Sequence, residues 1–285
     1  LVGQDTAYWG YPGNPGLFRA LRDPRLSAIK VMMPLSWLVN PNGSFNRSKV
    51  DQFLSLAQAY GKKLILSVVP IAPNYRSMGN FPPSSLPDSW FFQGVPYTMY
   101  TLPEESIYPT IVPVLWDPRF LYRYTDLIKA LGNAFNSHPA LEQVQVGVGN
   151  WGETFFDLRL HRGGDQTSIV QEWRRLGFTE DVWVEYCRTV FEVYRRAFPS
   201  KPLSLQLTDL GYRLLDALDD QNNFVRLRAL TDRVVEAAVV NNLDLLQYDG
   251  LWDIVQYGTD EVMYDVLEAN RHRFTIGFEM QAATG

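Results

Sequence analysis

Three features of the sequence predict an α/β fold in which a parallel sheet closes into a (β/α)8 TIM barrel. Short, near-continuous apolar runs alternate with longer amphipathic segments along most of the 285 residues. The number of such units suits a closed barrel better than a doubly wound sheet. No glycine-rich phosphate loop follows any apolar run, which counts against a dinucleotide-binding domain.

Taken in order, a weak strand signal lies at Thr6-Ala7-Tyr8-Trp9, and a clear one runs from Ala28 to Met33 and ends at Pro34. Lys49 to Tyr60 is expected to be helical, because Val50, Phe53, Leu54, Leu56 and Ala57 fall on one face and Gly61 suits the C-terminal cap. Lys63 to Val69 reads as a buried strand. Asp117 to Phe135 reads as a helix, with Asp117 as N-cap and Pro118 at the first helical position. Strands follow at 143–148, at Leu203 to Leu207, at Leu243 to Tyr248 and at Phe274 to Phe278. Helices at Val182 to Arg196, Asn223 to Val240 and Glu261 to Asn270 separate them.

The whole of 1–285 is read as one barrel domain. Counting the weak signal near Thr6 as the first strand, the strand ending at Phe278 is the seventh. The barrel expected from this count lacks its last strand within the chain. The segment 70–116 breaks the alternation with a run of prolines and with Trp90, Phe91, Phe92, Tyr97 and Tyr100. It leaves the C-terminal end of a strand, so it is expected to form a semi-rigid wall over the barrel mouth.

Composition narrows the class of function. Hydrophobic residues make up 46% and charged residues 20%, as in an ordinary globular domain. The net charge of -5 and the lack of a basic run argue against nucleic acid or an anionic membrane as partner. No stretch reaches the roughly 18 apolar residues of a membrane span. The single cysteine, Cys187, permits no intrachain disulfide and suits a buried position on a helix. Aromatics reach 14%, with 8 Trp and 15 Tyr, which fits either a bulky core or a groove that stacks on sugar rings.

Glu153 and Glu279 carry the chemistry of this reading. Each lies just past a strand-like run, in Gly149-Asn150-Trp151-Gly152-Glu153 and in Gly277-Phe278-Glu279-Met280. Barrel enzymes build their active sites at the C-terminal ends of strands. Two carboxylates facing each other there can cleave a glycosidic bond, one as acid and one as nucleophile, without cofactor or metal. Trp151 and Phe155 flank Glu153, an apolar setting that favours the protonated acid. Glu153 is therefore read as the acid/base and Glu279 as the nucleophile. Each residue taken alone fits a surface glutamate after a strand equally well. Gly147, Gly149 and Gly152 suggest tight backbone packing beside the first of them. Trp37, Trp116, Tyr248 and Trp252 follow strands or lie in the overhanging segment, where they could stack on sugar faces or simply pack. Gln206 ends a strand and could hydrogen-bond a hydroxyl. The three histidines show no metal-ligand spacing, and no Gly-x-Ser-x-Gly elbow is present.

With these residues in place, the chain resembles clan A glycoside hydrolases, the retaining (β/α)8 enzymes that include β-galactosidases, cellulases and mannanases. The resemblance spans roughly residues 5 to 281. It rests on Val31 to Trp37 followed by Asn42-Gly43-Ser44-Phe45-Asn46, on Gly61 to Leu66, and on His138-Pro139-Ala140-Leu141. It implies an acid/base glutamate after strand four and a nucleophile after strand seven, the positions of Glu153 and Glu279. In that clan an asparagine directly precedes the acid/base and binds the sugar 2-hydroxyl. Here Asn150 precedes Glu153 by three positions, an atypical Asn-Trp-Gly-Glu form in which Asn150 and Trp151 are the candidate substrate contacts. The implied substrate is a β-linked oligo- or polysaccharide. A polymeric substrate implies a protein that works outside the cell or at its surface.

Two other readings stay open. The barrel could be catalytically silent and bind glycans or serve as a structural module, which the altered asparagine spacing favours. It could also be a lyase or aldolase. Those reactions need a Schiff-base lysine or a metal at strand ends, whereas Lys30 and Lys63 are placed near strand starts.

Overall fold

The computed structural model describes residues 2–3, 15–70, 94–97, 110–149, 152–154, 173–208, 220–248 and 259–278. Its strands are β1 (Val2–Gly3), β2 (Ala28–Pro34), β3 (Lys63–Val69), β4 (Gly94–Tyr97), β5 (Thr110–Pro113), β6 (Leu141–Gln145), β7 (Leu203–Leu207), β8 (Leu245–Tyr248) and β9 (Thr275–Phe278). The helices are α1 (Pro15–Arg22), α2 (Leu35–Leu38), α3 (Ser48–Ala59), α4 (Pro118–Phe135), α5 (Glu180–Ala197), α6 (Asp220–Val240) and α7 (Thr259–Asn270).

Seven strands form one sheet in the order β1-β2-β3-β6-β7-β8-β9, and every pair is parallel. The order simply follows the chain. A doubly wound sheet would reverse direction at a switch point, and this sheet has none. It therefore winds one way only, as a (β/α)8 barrel does. The first strand lies at Val2–Gly3, earlier than the Thr6 signal suggested, and Thr6 to Trp9 fall outside the described residues. The expected strand at 143–148 begins at Leu141 and stops at Gln145, so 146–149 form the connection toward Glu153.

Local chemistry explains where the helices begin and end. The Asp117 side chain accepts from the Arg119 N–H ahead of Pro118, and Thr179 accepts from Val182 N–H at the start of α5. On α3, Val50, Phe53, Leu54 and Ala57 are buried as their spacing requires. Gly61, at φ +65°, follows the last turn of this helix.

The sheet separates two different interiors. Ile29, Val31, Met33, Leu64, Leu66, Val68, Val144, Leu203, Leu205 and Leu207 join the helices in a single apolar layer. Residues between them point the other way. On that inner face Met32 pairs in register with Ser67, Ser67 with Gln145, and Gln145 with Ser204. Two residues further along β7, Gln206 pairs with Gln247. The runs that looked uniformly apolar thus alternate, with a polar lining inside and an apolar coat outside. The sheet is also curled: Lys30 on β2 donates to Gln206 on β7 at 2.7 Å, although β3 and β6 lie between those strands.

Within 70–116, β4 and β5 pair as an antiparallel two-stranded sheet, so this segment holds regular structure of its own. Among the described residues, no helix is long and apolar enough to cross a membrane.

Candidate active site at the end of the fourth barrel strand

In the seven-stranded sheet β6 is the fourth strand and β9 the seventh. The connection leaving β6 is fastened from outside by tyrosines. Tyr124 on α4 donates to the Gly147 carbonyl at 2.6 Å, and its oxygen lies 2.9 Å from the Tyr194 hydroxyl on α5. Gly147 N–H donates to that Tyr194 oxygen, and Tyr186 donates to the Val148 carbonyl at 2.9 Å. A backbone that has left the sheet must find partners elsewhere, and these hydroxyls supply them. Burial pushes the phenols of Tyr124, Tyr186 and Tyr194 up, so they remain neutral donors.

Past this anchor the chain turns at Gly152, whose N–H donates to the Gly149 carbonyl. Gly152 has φ +81°, and a Cβ there would lie 2.9 Å from the Val68 carbonyl oxygen and 3.0 Å from Ser67 Oγ. Only glycine fits this close, left-handed position without strain. The turn is held on its far side as well, where Thr154 N–H donates to the Gln206 carbonyl and Thr154 Oγ1 accepts from Thr208 N–H at 3.0 Å. Glu153 is thus clamped between the ends of β3 and β7.

Glu153 is 8% exposed. Its Oε1 accepts from Gln206 Nε2 at 2.9 Å, and Gln206 Oε1 accepts from the ammonium of Lys30. The expected apolar setting is therefore, on the described side, an amide donor backed by a cation. Lys30 is 6% exposed. It is the third residue of β2 and faces inward, rather than marking the strand's start. Lys63 does lie at the start of its strand and donates to the Pro139 carbonyl at the opposite end of the sheet. Beneath Gly152, Gln145 Nε2 donates to the Gly152 carbonyl at 3.3 Å, while Gln145 Oε1 and Ser67 Oγ are buried without hydrogen-bond partners among the described residues.

The structure brings together two of the sequence-derived candidates, Glu153 and Gln206. Glu279 is the residue directly after β9 and lies outside the described residues, as do Asn150, Trp151 and Trp252. Trp37 sits half-buried on α2, immediately past the end of β2, with the Lys49 ammonium 5.6 Å from its ring centre. Trp116 is packed just before α4, with ring centres 4.8 Å from Trp173 and 5.2 Å from Phe178, and its indole N–H donates to the Leu176 carbonyl. Tyr248 is buried on the outer face of β8, where its ring meets Tyr264 of α7 edge-on at 5.8 Å. That orientation points it away from the barrel interior.

Sequence reasoning missed Ser67 and Gln145 and set Lys30 aside as a residue near a strand start. Their signal was the alternation itself. Lys30 stands between Ile29 and Val31, Ser67 between Leu66 and Val68, and Gln145 between Val144 and Val146. Polar residues spaced by two within apolar runs mark a strand with one polar face.

No family model matches the sequence, and no curated protein matches it. Solved structures share its fold. A psychrophilic glycoside hydrolase family 10 endo-β-1,4-xylanase aligns over 98% of this chain and 72% of its own, at 12% identity and TM-score 0.50. The catalytic domain of a β-amylase from Paenibacillus polymyxa aligns over 91% and 80%, at 11% identity and TM-score 0.59. Endo-glycoceramidase II from Rhodococcus sp. aligns over 99% and 73%, at 14% identity and TM-score 0.50. At such identities the likeness is one of fold, and these barrels carry three differently named activities.

Proposed function

We propose that the protein is a retaining glycoside hydrolase acting on β-linked saccharides, with Glu153 as acid/base and Glu279 as nucleophile. The observation that carries this reading is the placement of Glu153. It is a carboxylate held rigidly past the fourth strand of a singly wound parallel barrel, and Glu279 directly follows the seventh. The fold neighbours with glycosidase names support the reaction class by analogy.

In the proposed reaction Glu279 attacks the anomeric carbon while Glu153 protonates the departing oxygen, forming a glycosyl-enzyme ester. Glu153 then takes a proton from water, which releases the sugar with its configuration retained. Gln206 donates to Oε1, which fixes the orientation of the carboxyl group that carries the catalytic proton. A fixed rotamer is what general acid catalysis requires, because the proton must meet the leaving oxygen within hydrogen-bond reach.

The test is hydrolysis of aryl β-glycosides and β-glucans by the wild type, Glu153→Ala and Glu279→Ala. Loss of turnover in both variants, with azide rescuing Glu279→Ala to an inverted glycosyl azide, supports the assignment. A retaining pair also requires the two carboxyl groups to lie about 5–5.5 Å apart, against about 6.5–9.5 Å in an inverting one.

One observation favours a second reading, a silent glycan-binding barrel. A buried glutamate linked through an amide to a buried lysine is also what a purely structural charge pair looks like. Saccharide binding by a wild type that turns over nothing on the panel would decide for this alternative.

A further inference from the structure

Lys30 lies on a different strand from any residue assigned a role above, and the amide of Gln206 links it to Glu153. The chemistry of the three groups gives that chain a direction. An ammonium has three donors and no acceptor. Whatever lies 2.7 Å from Lys30 Nζ must accept, so it is the oxygen of the Gln206 amide. The nitrogen is then forced to the other side, where it meets Glu153 Oε1 at 2.9 Å. Without the lysine, the amide could turn over and present its oxygen to the carboxylate, a repulsive contact unless Glu153 is protonated.

The three side chains are 6%, 1% and 8% exposed for Lys30, Gln206 and Glu153, so water does not compete for these bonds. Burying an ammonium costs on the order of several kcal/mol unless its donors are satisfied. An apolar residue would fill this place in a barrel interior more simply, since branched aliphatic side chains dominate such layers.

We infer that Lys30 is a positioning residue for Glu153, acting through Gln206: it locks the amide so that its N–H is always turned toward Oε1 of the glutamate, which fixes the orientation of the carboxyl group. This inference rests on the hydrolase reading for its catalytic meaning, but the lock itself can be tested without activity.

The experiment uses the full chain labelled with 15N. The Gln206 side-chain NH2 signal is assigned by its loss in Gln206→Leu. In the wild type it should exchange slowly with solvent, and the Lys30 ammonium protons should show a nuclear Overhauser contact to Gln206. In Lys30→Met the amide signal should shift and exchange faster, and in Glu153→Gln it should shift from the other end. Among folded molecules, Lys30→Met should lower kcat roughly 10-fold or more, with KM within about twofold, because the placement of the proton donor is loosened. A purely structural lysine would lower the folded fraction and leave kcat per folded molecule unchanged.

An amide signal indifferent to Lys30→Met, or an unchanged kcat per folded molecule, overturns the inference. If Lys30→Met does not fold, the wild-type Overhauser contact decides, and its absence overturns the inference equally. If the amide responds as expected while the wild type hydrolyses no glycoside, the lock is supported and the hydrolase reading is the one that falls.

Discussion

Replacing Gly152 by alanine should destabilise the protein by about 2–5 kcal/mol, and the structure divides that figure into two parts. The first is backbone. At φ +81° a residue with a Cβ sits in the left-handed region, at a cost of roughly 1–2 kcal/mol. The second is space. The added methyl would approach the Val68 carbonyl oxygen to 2.9 Å and Ser67 Oγ to 3.0 Å, so β3 or the turn must move. Overpacking of this kind adds roughly 1–3 kcal/mol. Gly61 supplies the control, because it has φ +65° and nothing within 4 Å of its own Cβ position. Gly61→Ala should carry the backbone part alone, and the reduced freedom of the unfolded chain is common to both variants. The assay is equilibrium urea unfolding followed by tryptophan fluorescence, comparing midpoints at a shared slope. Gly152→Ala should lose about 1–3 kcal/mol more than Gly61→Ala. A difference below about 0.5 kcal/mol would refute the close approach of this turn to β3, and with it the clamp that holds Glu153.

The tyrosines behind β6 make the fold sensitive to alkali. Tyr124, Tyr186 and Tyr194 are all raised by burial above the value near pH 10 of an unfolded phenol. The native state therefore keeps protons that the unfolded state releases, so their stabilisation is complete below about pH 10 and is lost as pH rises toward the folded values. In an alkaline titration these three should ionise only together with loss of far-ultraviolet ellipticity; full tyrosinate absorbance from all 15 Tyr before that loss would contradict their burial. Tyr124→Phe should lose about 1–3 kcal/mol in urea unfolding, because the Gly147 carbonyl gives up a buried donor. Cys187 is fully buried, and desolvation holds its thiol well above the usual range. It should resist a disulfide reagent in the native protein and react once urea unfolds the chain; prompt native labelling would place it at the surface.

Much of the architecture was legible because it is written in short-range patterns. The Asp117-Pro118 start of α4, the apolar face of α3 and the strand from Lys63 to Val69 each follow from a few neighbouring residues. So did the position of Glu153 after the fourth strand, since parallel strands in chain order can be counted along the sequence. Trp116 and Tyr248 show where that reasoning stops. An aromatic after or within a strand has the same spacing whether it packs against Trp173, meets Tyr264 or faces a substrate. Only the direction of the side chain decides, and that direction is set by register with strands distant in sequence.

By itself the sequence determined the winding of the chain, the ends of most helices and the strand after which each glutamate falls, because periodicity, caps and turns act over a few residues. Tertiary structure alone decided what Glu153 touches. Lys30 and Gln206 are 176 positions apart, and Gln206 and Glu153 are 53 apart. Such contacts exist only when the sheet curls and brings β2 across the interior to β7. No local pattern encodes that meeting, since it depends on the register and curvature of every strand between them.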